Sequence, residues 1–519
     1  MEARKLLQSR VDVHDRKQFE LKLEYQPSGQ DPKSEYRIEM FLFLPSSLNV
    51  DAENYGREAF YADIHNYVRL KTPVLTVEEI LSAPASPLVR LEEKFAAPPA
   101  PAAGDVVYEA KLLSCVFRGA LRRFATDVDE SCGPIARNAP GHARALETQV
   151  RRTMEASRRI LAQFRALAGR IAAAPGTDER TRASLRLVDE YMSLTVEQFF
   201  RKAVTDMDEL PRSPLWIDLR KELMAEVIRE EDYRRDRKLR SVLSPTGDNE
   251  EYMHRVGFLK KFCQNILFLR VRRDARRKGW EEVLFALAAG IAMTFATAIA
   301  FWAQMRFAQV SLNFFLILVV GYMMKDRIKE GMRRIFANVA SRYLHDRSTV
   351  ITDPVTNERL GLCKEKFDYI KPEQVPEEIR EVRRVDDFVT VSEGELSEVI
   401  IRYQKEIVLD ADELPKMNAG SPGVTDIIRF NVQRLLRDMD EPEYALEYVD
   451  LEDLSVGHIR GAKSYQVDLA LRFAHDDADQ RGRELEVVRL VLDRNGIKRM
   501  IRLERASEPP PPETARSVA

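Results

Sequence analysis

The chain of 519 residues is long enough for several domains, and 45% of its residues are hydrophobic, so most of it can bury a core. Its 81 lysines and arginines against 83 aspartates and glutamates leave a formal net charge of −2, which argues against a dedicated nucleic-acid-binding protein. The four cysteines lie far apart without a CxxC motif, so neither a disulfide framework nor a structural zinc site is expected.

Residues 1–83 are expected to form a cytosolic β-region with short helices. Apolar and polar residues alternate over 19–25 and again over 36–44, with a polar segment between them, which predicts a β-hairpin. Short helices are expected around 56–67 and 77–82. Five prolines among many alanines in 84–104 predict an extended linker and a domain boundary.

Residues 105–280 are expected to form a cytosolic helical region. Apolar residues recur every three or four positions over 146–171 and again over 185–203, with Pro175-Gly176 between the two runs. This spacing predicts an antiparallel helical hairpin with coiled-coil-like seams. A charged helix is expected over 215–239, and a helix beginning at Tyr252 is expected to continue into the next segment.

The strongest pattern in the sequence is an uncharged stretch of 23 residues, 283–305 (VLFALAAGIAMTFATAIAFWAQM). As a helix it would be about 34 Å long, enough to cross a hydrocarbon core of about 30 Å. A second apolar stretch, 307–324, follows after only Arg306 and would be about 27 Å long. Trp280 and Trp302 lie near the ends of the first stretch, where indole rings favour the two membrane interfaces. We therefore expect a two-helix transmembrane hairpin over 281–324.

Basic residues on either side of this hairpin indicate its orientation. Eleven of them flank the hairpin, whereas the connecting turn carries only Arg306, which places both arms in the cytoplasm. They are Arg270, Arg272, Arg273, Arg276, Arg277 and Lys278 before the hairpin, and Lys325, Arg327, Lys329, Arg333 and Arg334 after it. The same residues could also bind anionic lipid headgroups. The Arg- and Ala-rich composition favours a bacterial inner membrane.

Small residues form a regular pattern within the first stretch. Ala288, Ala292, Ala296 and Ala300 recur every four residues and predict a flat stripe where another helix can approach closely. The partner would be the second stretch or the first stretch of another copy. Neither stretch contains a charged residue or histidine, which disfavours an ion-coupled transporter.

After a juxtamembrane helix over 325–346, residues 347–505 are expected to form a β-rich cytosolic domain. The predicted strands are 349–351, 360–362, 399–404, 444–449, 465–473, 485–492 and 497–503. The last two flank Asn495-Gly496, which favours a tight hairpin turn. Residues 425–439 are expected to be helical and the tail 506–519 disordered. Since the hairpin returns the chain to the cytoplasm, the N- and C-terminal β-regions are expected to pack as one domain or as neighbours.

The sequence contains no Walker A loop, GxGxxG, HExxH, GxSxG or EF-hand motif, so no catalytic residue, metal site or cofactor is predicted. The fold class expected is an α+β integral membrane protein. It would act as a non-enzymatic scaffold, sensor or assembly subunit that binds a protein partner or a second copy. One alternative is a membrane-bound enzyme in which His345, His458 or His475 meets carboxylates in a pocket. Another is an oligomeric pore assembled along the alanine stripe.

Overall fold

The computed structural model describes residues 7–25, 33–96, 103–136, 142–210, 213–273, 276–306, 311–343, 345–353, 357–383, 398–410, 423–449, 455–476 and 483–503. These residues form an α+β protein with two compact units. The first, the β unit, comprises Met1–Tyr67, Arg270–Glu413 and Asp426–Ala519. The second, the helical unit, comprises Val68–Leu269 and Leu414–Thr425.

The strands are concentrated at the two ends of the chain. They are β1 (Leu7–Asp15), β2 (Gln18–Tyr25), β3 (Lys33–Pro45), β4 (Ile64–Leu70), β5 (Arg270–Arg273), β6 (Arg347–Thr352), β7 (Arg359–Ile370), β8 (Glu398–Asp410), β9 (Val424–Asn431), β10 (Glu443–Val449), β11 (Val456–Ala462), β12 (Tyr465–Asp476), β13 (Arg483–Asp493) and β14 (Gly496–Leu503).

The helices fill the middle of the chain. They are α1 (Arg57–Asp63), α2 (Val77–Ser82), α3 (Pro87–Ala96), α4 (Ala103–Ala136), α5 (His142–Ala173), α6 (Glu179–Asp206), α7 (Pro214–Asp236), α8 (Glu250–Gln264), α9 (Arg276–Arg306), α10 (Leu312–Tyr343) and α11 (Glu377–Arg383).

An eight-stranded antiparallel sheet organises the β unit, in the order β14-β13-β12-β3-β8-β7-β6-β5. Strand β3 lies between two C-terminal strands, with Phe43 opposite Asp468 of β12 on one side and Ile400 of β8 on the other. Its last residues are apolar in succession because both faces of this central strand are covered. The N- and C-terminal β-regions therefore share one sheet.

A four-stranded sheet, in the order β1-β2-β9-β4, also contains N-terminal strands. The hairpin predicted between 19–25 and 36–44 is wrong, because β2 pairs with β1 whereas β3 pairs with β8 and β12. Alternation of apolar and polar residues identified both strands, but it carries no information about which strands they pair with.

Aromatic side chains fill the space between the two sheets. The ring of Phe60, on α1, lies 4.6 Å from Phe367, 5.5 Å from Tyr403 and 5.6 Å from Phe430, centroid to centroid. On the opposite face of the eight-stranded sheet, Ile379 of α11 joins a separate apolar cluster. The large sheet is thus covered on both faces, which explains why its central strands are so apolar.

The helical unit has one apolar core to which α2 to α8 contribute. Helices α5 and α6 match the predicted helical hairpin, and α7 matches the predicted charged helix. Gly176 ends the first arm with φ = +88°, a conformation that favours glycine. The side chain of Asp178 then accepts a hydrogen bond from the Thr181 backbone at 2.9 Å and caps α6.

Helix α3 replaces much of the extended linker predicted over 84–104. Ser86 caps this helix by accepting a hydrogen bond from the Leu88 backbone, and Pro87 occupies its first position, where proline is tolerated. Leu88 and Leu91 are buried against the helical core. Pro87 therefore marks the start of a helix rather than an extended segment, whereas Pro98, Pro99 and Pro101 lie outside the described residues.

Two predicted helices also differ from the structure. Residues 425–439 begin as strand β9, because five successive buried residues from Val424 suit a strand covered on both faces. The helix predicted from Tyr252 ends at Gln264, and the short strand β5 separates it from α9. Near 56–67 the predicted helix is confined to α1 and is followed by β4. The tail 506–519 lies outside the described residues.

Candidate functional site

Helices α9 and α10, here called the apolar helix pair, connect β5 to β6. Within the described residues, one helix is long and apolar enough to cross a membrane, Glu282–Arg306 of α9. Only 11% of its most apolar window is buried. The predicted second span is not established, because 307–310 lie outside the described residues and α10 begins at Leu312.

The alanine stripe of α9 lies on its less exposed side. Ala288 and Ala292 are buried, and Ala296 and Ala300 are half-buried. Farther along the pair, a Cβ added to Gly321 of α10 would lie 3.1 Å from the Ile299 side chain, so glycine permits a close approach there.

An aromatic contact near the other end of the pair shows how the two helices run. The guanidinium group of Arg333 lies over the Phe285 ring at 4.7 Å. Phe285 precedes Ile299 on α9, whereas Arg333 follows Gly321 on α10, so the helices run antiparallel.

The predicted interface residues are spread along the pair, because Lys325 and Arg327 lie between the two α10 positions that contact α9. Trp302 is exposed on α9, Arg272 is exposed on β5, and Arg327 is exposed on α10. The Lys325 ammonium group lies 3.7 Å from the centre of the Tyr322 ring. Five other predicted residues lie on β5 or the first turns of α9, with side chains outside the described part of the structure: Arg273, Arg276, Arg277, Lys278 and Trp280.

Asp346 fastens the chain to the β unit directly after α10. Its backbone N–H donates to the Glu365 carbonyl at 2.8 Å, and its Oδ2 accepts from the Phe367 backbone at 2.7 Å. Its Oδ1 lies 3.1 Å from the guanidinium group of Arg57. The next residue, Arg347, places its guanidinium group over the Tyr61 ring at 3.9 Å. The end of the apolar helix pair is thus held by several polar contacts.

A group of polar side chains is buried where the two sheets of the β unit face each other. We call it the buried polar cluster, and it consists of Tyr36, Cys363, Glu365, Tyr403, Lys405 and Asp426, together with the half-buried Asn66.

An ion pair joins the two sheets within this cluster. Lys405 of β8 donates to Asp426 Oδ1 of β9 at 2.8 Å, and both residues are 1% exposed. Burial opposes the positive charge of Lys405, but the neighbouring Asp426 carboxylate more than compensates and raises the pKa of Lys405 above its ordinary value. The lysine therefore stays charged at neutral pH.

Glu365 organises the other half of the buried polar cluster. Its Oε1 accepts hydrogen bonds from the Tyr403 hydroxyl at 2.6 Å and from the Asn66 amide at 2.5 Å. Since its backbone carbonyl also accepts from Asp346, Glu365 links the end of the apolar helix pair to the interior. Burial raises the pKa of the Cys363 thiol to about 12, which keeps it protonated and unreactive.

Three polar atoms of the buried polar cluster have no hydrogen-bond partner among the described residues. They are the Tyr36 hydroxyl, Asn66 Oδ1 and Asp426 Oδ2. Burial, followed by the Asp426 carboxylate, raises the pKa of Tyr36 well above its ordinary value, so the phenol stays neutral. Tyr36 and Asp426 are buried between the two sheets, where a dissolved substrate does not reach them. They therefore affect the stability and pairing of the sheets rather than a reaction.

Sequence reasoning did not identify the buried polar cluster, although a signal exists. Residues 401, 403, 405, 407 and 409 of β8 are buried in alternation, and Lys405 is the charged member of that otherwise uncharged row. Asp426 likewise interrupts an uncharged buried run in β9. A charge at an inward position indicates a buried partner, but the partner itself cannot be read from the pattern.

The helical unit contains a second buried ion network. Arg234 is fully buried, donates to Ser193 Oγ at 2.7 Å and to the Ser241 carbonyl at 3.1 Å, and pairs with Glu197. Glu190 accepts from Ser241 Oγ at 2.7 Å. The network links α6 to α7 and to the segment after α7, and it satisfies the charges that it buries.

Two of the three histidines considered for an enzymatic site lie beside different carboxylates. His345 Nε2 lies 3.9 Å from Glu406, and His458 Nδ1 lies 4.0 Å from Glu447 on β10. His475 is on β12, with its side chain outside the described part. Among the described residues, no group of three or more His, Cys, Asp or Glu side chains is arranged to hold a metal ion.

Breaking the ion pair between Lys405 and Asp426 should destabilise the β unit strongly. Lys405→Met leaves a carboxylate buried without its partner, so we expect a loss of about 3–5 kcal/mol in the free energy of unfolding. The double variant Lys405→Met/Asp426→Val should lose less than the single variant, because it buries no charge. Urea unfolding of the purified protein measures both.

Lys463→Met is the matched control, because Lys463 pairs with Asp440 at the surface. Because water and salt screen an exposed pair, this variant should unfold at nearly the same urea concentration as the unmodified protein. If the double variant were as unstable as Lys405→Met, the unpaired buried carboxylate would not be the cause of the lost stability.

Comparison of the chain with family models, with curated proteins and with solved structures finds no match.

Proposed function

We propose that the protein is a membrane-anchored, non-enzymatic scaffold that presents the β unit and the helical unit to a protein partner in the cytoplasm. The observation that carries the proposal is the position of the apolar helix pair, inserted between two neighbouring strands of one sheet. The anchor would be the predicted two-helix transmembrane hairpin.

Exposure of α9 supports insertion into lipid. A core helix of comparable apolarity in a soluble protein would be mostly buried, whereas only 11% of the α9 window is buried. Large apolar side chains such as Phe301, Met293 and Leu287 are all more than half exposed. An apolar surface of this size on one helix fits a lipid environment better than water.

Strand pairing supports two crossings rather than one. Strand β5 precedes α9, strand β6 follows α10, and the two strands are antiparallel neighbours, with Arg273 opposite Thr349. Hydrogen-bonded neighbours must lie on the same side of a membrane. If α9 crosses it, the chain must therefore cross back before β6, and the apolar stretch 307–324 is the segment available for that return.

Flanking charge supports a cytoplasmic position for both arms, with eleven basic residues near the ends of the hairpin and Arg306 alone in its turn. The helical unit, and the β unit apart from its apolar helix pair, would then lie on the side where cytosolic partners are available. Such an arrangement suits a scaffold or an assembly subunit, held by its membrane anchor.

The anchor is tested by a charge placed on the exposed side of α9. Met293→Lys should increase the fraction of protein that alkaline carbonate releases from membranes, because a lysine near a helix centre costs about 2.5–3.5 kcal/mol on insertion. The control is Met253→Lys on α8, since Met293 and Met253 are 58% and 66% exposed. Equal release of the two variants, or full release of the unmodified protein, would contradict membrane anchoring.

The scaffold itself is tested by crosslinking in native membranes followed by mass spectrometry. We expect one stoichiometric protein partner whose crosslinks map to the β unit or the helical unit. Replacing 276–343 with an unrelated two-span hairpin should leave those crosslinks in place. Crosslinks only between copies of this chain, running through α9, would instead favour an oligomeric pore.

A further inference from the structure

Strands β10 and β11 form a two-stranded ribbon, here called the β-ribbon, which pairs with no other strand among the described residues. Nearly every residue of both strands is exposed. An isolated two-stranded ribbon is marginally stable in water, so its exposed apolar side chains need an explanation. These side chains are Tyr444, Leu446, Tyr448, Val449, Val456 and Ile459.

One face of the β-ribbon is apolar and flat. Leu446 lies opposite Ile459, while Tyr448 and Tyr444 lie opposite glycines 457 and 461. A Cβ added to Gly457 would lie 2.5 Å from the Tyr448 ring. Because glycine has no Cβ, the tyrosine can lie across the neighbouring strand.

The other face of the β-ribbon carries the charged side chains of both strands. Arg460 lies 2.9 Å from Glu443, and His458 lies 4.0 Å from Glu447. These four residues alternate with Tyr444, Leu446, Tyr448 and Ile459 along the strands, so they point away from the apolar face. Val449 and Val456 lie opposite each other on this second face. The charged side chains of both strands are therefore confined to one face, which makes the β-ribbon amphipathic.

The β-ribbon joins the large sheet at the end from which the apolar helix pair leaves. The strand registers show this, because neighbouring strands from β6 to β12 are antiparallel. The first residues of β6 therefore lie at the same end of the sheet as the first residues of β8 and β12 and the last residues of β7 and β3. The apolar helix pair ends just before β6, and the β-ribbon ends just before β12.

We propose that the apolar face of the β-ribbon lies in the lipid–water interface beside the anchor. This inference rests on the membrane anchoring proposed above. Tyrosines 444 and 448 supply the amphipathic rings that favour such an interface, and Leu446 and Ile459 supply aliphatic surface between them.

Charge disfavours two other occupants of this face. The segment 443–462 carries five aspartates and glutamates against one arginine. A second β-ribbon would meet like charge, and a nucleic acid would be repelled. An uncharged lipid surface does not repel the acidic β-ribbon. Contact between the β-ribbon and the membrane should therefore not require anionic headgroups.

The test compares adjacent positions on opposite faces of the β-ribbon. Leu446→Cys and Glu447→Cys are labelled with an environment-sensitive bimane in the full-length protein, reconstituted in phosphatidylcholine vesicles that contain spin-labelled lipid. The four native cysteines are buried, so they should take up little label. We expect the spin label to remove most of the fluorescence at position 446 and little of it at position 447.

A bimane label at Met293→Cys on α9, measured in the same vesicles, distinguishes the interfacial β-ribbon from membrane anchoring. Quenching at position 293 without quenching at position 446 would overturn the interfacial β-ribbon and leave membrane anchoring intact. Absence of quenching at both positions would overturn anchoring as well. Ready disulfide formation between two Leu446→Cys chains, with no lipid quenching at that position, would identify a second copy as the occupant and also overturn the proposal.

Discussion

The short ladder between β5 and β6 is the constraint on which the architecture of the β unit depends. Four residues of β5 pair with β6, and Thr352 Oγ1 adds a hydrogen bond to the Arg270 carbonyl at 3.2 Å. This ladder forms one edge of the eight-stranded sheet and fixes the two ends of the apolar helix pair side by side. Any account of the protein in a membrane must therefore return the chain to the side from which it left.

Behind that edge, polar contacts continue into the interior of the β unit. Asp346 fixes the chain after α10, Glu365 binds both Asp346 and Tyr403, and Lys405 bridges the two sheets through Asp426. Buried ion pairs contribute little net stability, but they disfavour alternative registers, because a one-residue slip would leave a charge unpaired. The cluster thus specifies how the sheets meet, whereas aromatic packing around Phe60 supplies apolar burial.

Local patterns in the sequence predicted the elements better than their connections. The helical hairpin and the strands around Asn495-Gly496 follow from periodicity and turn chemistry over neighbouring residues. The position of β3 between β8 and β12 could not be predicted in the same way, because pairing partners hundreds of residues apart leave no local signal. Strand β5 was missed because four residues are too short for alternation to be informative. Of the candidate sites, the alanine stripe was visible in the sequence, whereas the buried polar cluster depends on tertiary contacts.

We propose that the chain crosses the membrane twice and returns to the same side. The most direct test is labelling of single cysteines by a membrane-impermeant maleimide in oriented vesicles. The positions are Arg306→Cys in the turn, Met253→Cys in the helical unit and Arg499→Cys on β14. We expect position 306 to react only from the outside, and positions 253 and 499 to react only after the vesicles are permeabilised. Labelling of positions 253 and 499 from opposite sides, or of all three from the same side, would contradict it.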